Sequence, residues 1–236
     1  MNRAEFERFG EQIVIESPDS QMLAAALTRL GGPSFFNTYK KYLPAGFRRI
    51  IDVGASIGHY SILFSWVWPE AEIWAIEPSS VNFKYLEINT ANIPNIRSFK
   101  TGAGEATYTH TIAIPTIRQK TWMNFGEGNS GVLSMFGDSD IYREEVPIVK
   151  LDDIVDKCDF IKIDTEGYEY KVIQGADRLL KEARPILHVE FMKCNLKMAG
   201  VEPKQLSDLI LSYDYVPICT LAHDVVFVPA ENTCSS

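Results

Sequence analysis

The sequence is short of the devices that staple, anchor or charge a fold. Its cysteines, Cys158, Cys194, Cys219 and Cys234, stand singly, with no Cys-x-x-Cys pair and no zinc-ligand spacing. That argues against a disulfide framework or a structural zinc and reads as free thiols in a reducing compartment. No apolar run approaches the roughly 18 residues a spanning helix needs. The opening MNRAEFERFGEQ is polar and lacks the apolar core of a secretory leader. We therefore expect a cytoplasmic protein with no membrane partner. Positive charge is also in deficit: 23 Lys and Arg against 31 Asp and Glu leave a net charge of −8. A general affinity for nucleic-acid phosphates would need the opposite balance.

What the chain does contain is alternation. Its 236 residues, 46% of them apolar, suit one domain with a real core. Residues 1–46 read as an N-terminal helical segment, a lid or a homodimer contact, because Met22, Leu23, Ala26, Leu27 and Leu30 follow helical spacing before Gly31-Gly32-Pro33 stops the run. From 47 to 230, strand candidates (Arg49–Val53, Ala71–Ile76, Ser98–Thr101, Phe160–Asp164, Ile186–Glu190) are interleaved with helical stretches (Ile57–Trp68, Ser79–Asn89, Tyr168–Leu180, Pro203–Leu211). Such alternation predicts a mostly parallel sheet with helices on both faces. The tail, Tyr213–Thr220 and Asp224–Val228, reads as a hairpin that adds one antiparallel strand at an edge. Residues 102–149 break the pattern: β-like patches at Tyr108–Ile114 and Val146–Val149 flank a stretch holding Gly126, Gly128, Gly131 and Gly137. We read an inserted β-hairpin and loop, whose length points to a functional segment or to disorder.

The first strand of the alternation runs into IIDVGASIGHYS, Ile50–Ser61. Glycine lets the backbone turn sharply and lets a ligand approach, and the helix beyond presents free amides. The pyrophosphate fingerprint Gly-x-Gly-x-x-Gly fails, since the positions counted from Gly54 are Gly54, Ser56 and His59. Asp52 stands two residues before Gly54, and Glu77 ends the next strand, 25 residues after Asp52. An acid at that point can accept hydrogen bonds from ribose hydroxyls; it can equally serve as a helix N-terminal acid. A nucleoside without a pyrophosphate fits this set. S-adenosylmethionine is one, with an ammonium suited to Asp52 and a carboxylate suited to backbone amides.

These segments, IDVGASIGHYS, IEPSSVNFKYLEIN and LDDIVDKCDFIKIDTEGYEYKVIQGADRLLKEARPILHVE, resemble the FkbM-type methyltransferases over about Arg49 to Glu190. The resemblance implies a class I, Rossmann-like methyltransferase fold with a seven-stranded sheet and a C-terminal antiparallel hairpin. It also implies S-adenosylmethionine as cofactor, with Gly54, Ala55, Ser56, Gly58, Glu77 and Pro78 around it. The segment Thr101–Gly104 would lie near the adenine, offering the Ala103 backbone or Glu105. The implied activity is O-methylation of a sugar, glycan or secondary metabolite. A nicotinamide-dependent oxidoreductase and a non-catalytic binding protein are the competing readings.

In an open α/β sheet the ligand crevice lies past the strand ends where strand order reverses, so Asp164 should face the sulfonium end and Glu190 should stand beside it. Both are candidates for the general base, or for holding a divalent metal if one takes part. Lys162 shares a strand face with Asp164 and reads as the partner that orients it. Glu166 either caps the next helix or joins the site. His188 reads as a hydrogen-bonded core residue, His59 as a helix surface residue as readily as a site residue, and Tyr168 as pocket or core. Trp122, Phe125 and Phe136 either stack on the acceptor or pack the insert.

Overall fold

The computed structural model describes residues 2–8, 11–31, 43–113 and 143–233. The chain opens as strand rather than as the expected helix: β1 (Asn2–Arg8) pairs antiparallel with β2 (Glu11–Ser17). Period-two alternation in this stretch outweighs any helical character, putting Phe6, Ile13 and the fully buried Ile15 on the core side. Helix α1 (Ser20–Gly31) follows, started by Asp19, whose carboxylate accepts from the Met22 amide at 2.7 Å. Asn89 clamps the hairpin, accepting from Glu16 N at 2.8 Å and donating to Glu16 O at 2.9 Å.

The main sheet contains β3 (Arg49–Val53), β4 (Glu72–Ile76), β5 (Ile96–Phe99), β9 (Phe160–Ile163), β10 (Ile186–Glu190), β11 (Tyr215–Leu221) and β12 (Asp224–Pro229), in the order β11-β12-β10-β9-β3-β4-β5. All contacts from β5 across to β10 are parallel. The reversed strand is β12, and it does not sit at the edge as expected but one position in, antiparallel to both β10 and β11. The residues explain this placement. The run Val225–Val228 suits a strand with neighbours on both sides, whereas β11 carries Pro217 and a register shift between Pro217 and Cys219, features tolerated at an edge.

Helices α2 (His59–Val67), α3 (Ser80–Thr90), α5 (Glu169–Gln174) and α7 (Pro203–Leu211) cover the sheet. One face packs Ile50, Phe160 and Ile186 against Tyr60, Phe64 and Trp68 of the α2 region and against α1. The other packs Ile51, Ile161, Ile163 and Leu187 against Val172, Ile173, Leu206 and Ile210. The first face also buries a polar row: Asp52 is in register with Lys162, and Lys162 with His188, all three at most 1% exposed. A small second sheet, order β6-β8-β7, joins β6 (Gly102–Ala103), β7 (Tyr108–Ala113) and β8 (Arg143–Val149) beside the open end of the main one.

Two short helices that the periodicity missed, α4 (Leu151–Ile154) and α6 (Lys193–Met198), complete the fold. The helix expected over Tyr168–Leu180 stops at Gln174, and a π-helical turn follows at Leu179–Ala183. Gly175 leaves no room for a side chain, because a Cβ there would lie 1.9 Å from the Gly104 carbonyl oxygen. Trp122, Phe125, Phe136, the glycines between 126 and 137, and Cys234 lie outside the described residues.

Gly54 and Gly200 both hold left-handed backbone, at φ 79° and 74°, but differ in surroundings. A Cβ on Gly54 would fall 1.8 Å from the Asp164 carbonyl oxygen, while one on Gly200 meets nothing within 4 Å. Gly200→Ala should therefore cost only the backbone term, about 1 kcal/mol. Gly54→Ala should cost that plus an overpacking term of about 1–3 kcal/mol. Urea unfolding of the two variants against wild type measures both, and equal losses would refute the contact.

Candidate active site

Strand β3 ends at the point where strand order reverses, between β4 and β9. A cavity, partly open to solvent, lies past these strand ends. Gly54 N and Ala55 N donate to Ile76 O at 2.9 and 3.0 Å, so the glycine turn is hydrogen-bonded to the end of β4. Asp164 N donates to Val53 O at 3.0 Å, tying in the end of β9.

Glu77 anchors the turn. Its Oε2 accepts from Ser56 N and its Oε1 from Ser79 N, each at 2.9 Å, and it is 4% exposed. Burial pushes its carboxyl up to about 7, against the pull of those two amides. The Asn82 side chain bonds it as well, and a carboxylate's lone pairs exceed these three donors. Ser79, not Glu77, caps α3, accepting from Asn82 N at 3.4 Å.

Of the residues singled out from the sequence, Gly54, Ser56, Glu77, Pro78, Ala103 and Asp164 line the cavity. Ala55, Gly58, Asp52, Lys162 and Glu105 are not on its lining. Ala55 packs against Ala75 and Leu86, and a Cβ on Gly58 would meet Leu86 at 2.8 Å, so both position the turn. Asp52 is corrected from a ligand contact to a structural one: it is fully buried, accepting from Ser61 Oγ at 2.6 Å with its other oxygen 3.9 Å from Lys162 Nζ. Lys162 lies beneath the cavity floor, donating to Asp164 Oδ2 at 2.9 Å, with its ammonium 4.2 Å from the Tyr60 ring centroid. Burial disfavours its charge, but Asp164 and Asp52 outweigh that and hold its pKa above the ordinary value. Glu105 turns away to pair with Lys171 at 2.8 Å.

Glu166 is not a cap. It sits in left-handed backbone at φ 55°, lines the cavity and accepts from Asn195 Nδ2. Glu169, the first residue of the helix, instead holds the turn before it, its Oε1 accepting from Thr165 N at 2.8 Å and Gly167 N at 3.1 Å. Burial first, then the charges of Asp164 and Glu169, raise the Glu166 carboxyl well above its ordinary value. Glu190 ends β10 outside the cavity lining, raised by burial and by Asp164 and Glu166. His188 is a core residue, its Nε2 2.9 Å from Asp224 Oδ2. Tyr168 is both core and wall: it is 1% exposed, paired with the Tyr108 hydroxyl, and on the lining. Among the described residues no group of three or more His, Cys, Asp or Glu converges to hold a metal, and the Asp164–Glu190 pair is not such a set.

Sequence reasoning missed several cavity residues, three of them with side chains that bear on its chemistry. Met22 and Arg29 arrive on α1, and His59 faces the cavity rather than solvent, with neither ring nitrogen hydrogen-bonded among the described residues. His59's orientation follows from Gly58, whose left-handed φ of 90° starts α2 directly behind the turn. No short-range spacing signals an α1 residue arriving from more than twenty positions away in the chain.

Lys162→Met would leave two carboxylates facing an apolar side chain, and removing one member of a buried ion pair typically costs about 3–5 kcal/mol. We expect that loss in urea unfolding, and partial recovery in the Asp52→Asn, Lys162→Met double variant. Additive effects would show that the two side chains are not coupled.

The chain is similar to known methyltransferases. Methyltransferase sdnD of Sordaria araneosa is 26% identical over 155 residues, covering 54% of this chain and 60% of that protein. Hexuronic acid methyltransferase AglP of Haloferax volcanii is 25% identical over 164 residues, covering 67% of this chain and 59% of its own. The chain thus spans about three-fifths of the length of these curated relatives. The crystal structure of Methyltransferase FkbM from Methylobacillus flagellatus KT shares the fold, with a TM-score of 0.55 at 21% identity over 90% of this chain and 56% of that one. No helix among the described residues is long and apolar enough to cross a membrane. The family described as Methyltransferase FkbM domain matches residues 52–217, and the chain belongs to that family.

Proposed function

We propose that the protein is an S-adenosylmethionine-dependent O-methyltransferase acting on a hydroxyl of a sugar, glycan or secondary metabolite. The placement of Glu77 carries the cofactor reading: a buried carboxylate at the end of the second strand, holding the glycine turn and lining the cavity. Such a group suits a ribose, whose hydroxyls would donate to its remaining lone pairs. The names of the relatives, one a hexuronic acid methyltransferase, support a hydroxylated small molecule or glycan as acceptor.

When bound, the cofactor supplies a methyl group already activated on a sulfonium, which leaves as a thioether when an oxygen takes the methyl. The protein must place that oxygen in line and accept its proton. Two carboxylates past β9 divide this work. Asp164 has Oδ2 committed to Lys162, so it remains a fixed anion suited to the ammonium of the cofactor's amino-acid end. Glu166, raised toward neutrality on the cavity wall, suits the acceptor proton. Glu190 lies off the cavity lining and takes no part in this division. Lys162 acts only through Asp164.

Glu166→Gln should lower kcat by on the order of 10²–10⁴, with S-adenosylhomocysteine affinity little changed. Labelled methyl transfer to a panel of uronic acids, neutral sugars and hydroxylated metabolites reads the first, and calorimetry the second. An unchanged kcat in a folded variant would reject the role. Ribose hydroxyls favour ionised Glu77, so S-adenosylhomocysteine affinity should rise with pH up to about 7 and level off above it. Glu77→Gln should flatten that profile. His59, held well below its ordinary value by burial, stays neutral across this range and does not contribute.

A further inference from the structure

The donors gathered at the start of α2 have no anion among the described residues. Gly58 provides no side-chain cap for this nine-residue helix, so the first-turn amides lack an acceptor within it. The His59 ring lines the cavity with both nitrogens buried and without a hydrogen-bond partner. Arg29 of α1 reaches the same wall, its guanidinium 5.5 Å from the Tyr60 ring centroid. Tyr60 stays uncharged, since burial pushes its hydroxyl up to about 12. Arg29 bonds the Tyr60 side chain and feels the charges of Asp164 and Asp224, but no described carboxylate is ion-paired with it. A helix N-terminus, an unpartnered imidazole and a guanidinium converging on one cavity wall call for a carboxylate.

We propose that Arg29, His59 and the first turn of α2 form the subsite for the carboxylate of the cofactor's amino-acid end, an inference that rests on the S-adenosylmethionine reading above. The chemistry is that of a zwitterion. Asp164 supplies the fixed anion for the ammonium, and Arg29 with His59 supplies the donors for the carboxylate. Position favours the cofactor over the acceptor as the source. His59 follows directly from the turn Gly54–Gly58 that Glu77 anchors through Ser56, so a ligand with its ribose at Glu77 extends along that turn toward α2. The acceptor side is left to Ile112, Glu166 and Tyr168, which line the same cavity. Arg29 lies outside the matched residues 52–217, and Asp52, the ammonium partner expected from the sequence, is sealed below the floor.

The test compares two ligands of the full chain by calorimetry: S-adenosylhomocysteine, which has the amino-acid end, and 5′-methylthioadenosine, which lacks it. Arg29→Gln should weaken S-adenosylhomocysteine on the order of tenfold to a hundredfold and leave methylthioadenosine unchanged. Arg29→Lys should recover part of the loss, and His59→Phe should weaken S-adenosylhomocysteine selectively by a smaller factor. Equal losses for both ligands would overturn the proposal in favour of a packing role. Unchanged S-adenosylhomocysteine affinity, with a raised KM for a carboxylate-bearing acceptor alone, would overturn it in favour of an acceptor subsite. Wild-type protein that binds methylthioadenosine as tightly as S-adenosylhomocysteine would overturn the subsite and leave the nucleoside reading standing. Binding of neither ligand would overturn that reading and the subsite with it.

Discussion

The buried ammonium of Lys162 is the interaction on which the site depends. A lysine in the middle strand of a sheet is costly unless its charge is met on the spot. Here it is met by Asp164 at 2.9 Å, by Asp52 at 3.9 Å and by the face of the Tyr60 ring at 4.2 Å. These partners come from β9, β3 and α2, so a single charge ties together three elements that converge under the cavity. An apolar residue of similar size could fill the space. It would leave Asp164 free to turn, and Asp52 buried without a counter-charge. What the lysine secures is orientation: one oxygen of Asp164 is taken, and the carboxylate faces the cavity as an anion.

The glycine turn works by the same logic of close approach. Gly54 lacks a side chain because the Asp164 carbonyl occupies the place a Cβ would take. The end of β9 and the turn after β3 are thereby pressed together before any ligand arrives. Glu77 then holds the far side of the turn through Ser56 N, and Ser56 itself sits in left-handed backbone at φ 55°. Strain and buried charge gather at the strand ends, where most of a fold is relaxed, which is the pattern of a preorganised ligand site. The N-terminal segment closes the arrangement, since α1 packs on α2 and presents Arg29 to the cavity.

Much of this was legible beforehand. The runs IIDV, IWAI and FIKI read as strands because they are largely apolar, and Glu77 and Asp164 read as strand-end acids because they follow IWAI and FIKI directly. Lys162 could be paired with Asp164 from the strand period alone. The errors share one origin, which is that depth and facing are not local properties. Asp52 was placed one step too near the ligand because nothing in DVG tells how far the strand continues past the aspartate. Glu166 joins the cavity instead of capping because the left-handed turn at Glu166 and Gly167 puts the helix start at Glu169. The reversed strand was placed at the edge because a hairpin's sequence does not say which of its two strands meets the sheet.

Sequence alone determined the alternation, the glycine turn with its flanking acids, and the family these imply, because each is carried by the spacing of a few neighbouring residues. Only the tertiary structure decided which charges meet the cavity and which are sealed beneath it, because that depends on strand register and on groups that approach through space. Lys162 reaches Asp52 across a parallel pair, and Arg29 reaches His59's wall from a helix outside the recognisable domain. Both contacts depend on how the chain folds back on itself, and neither is written in the local order of its residues.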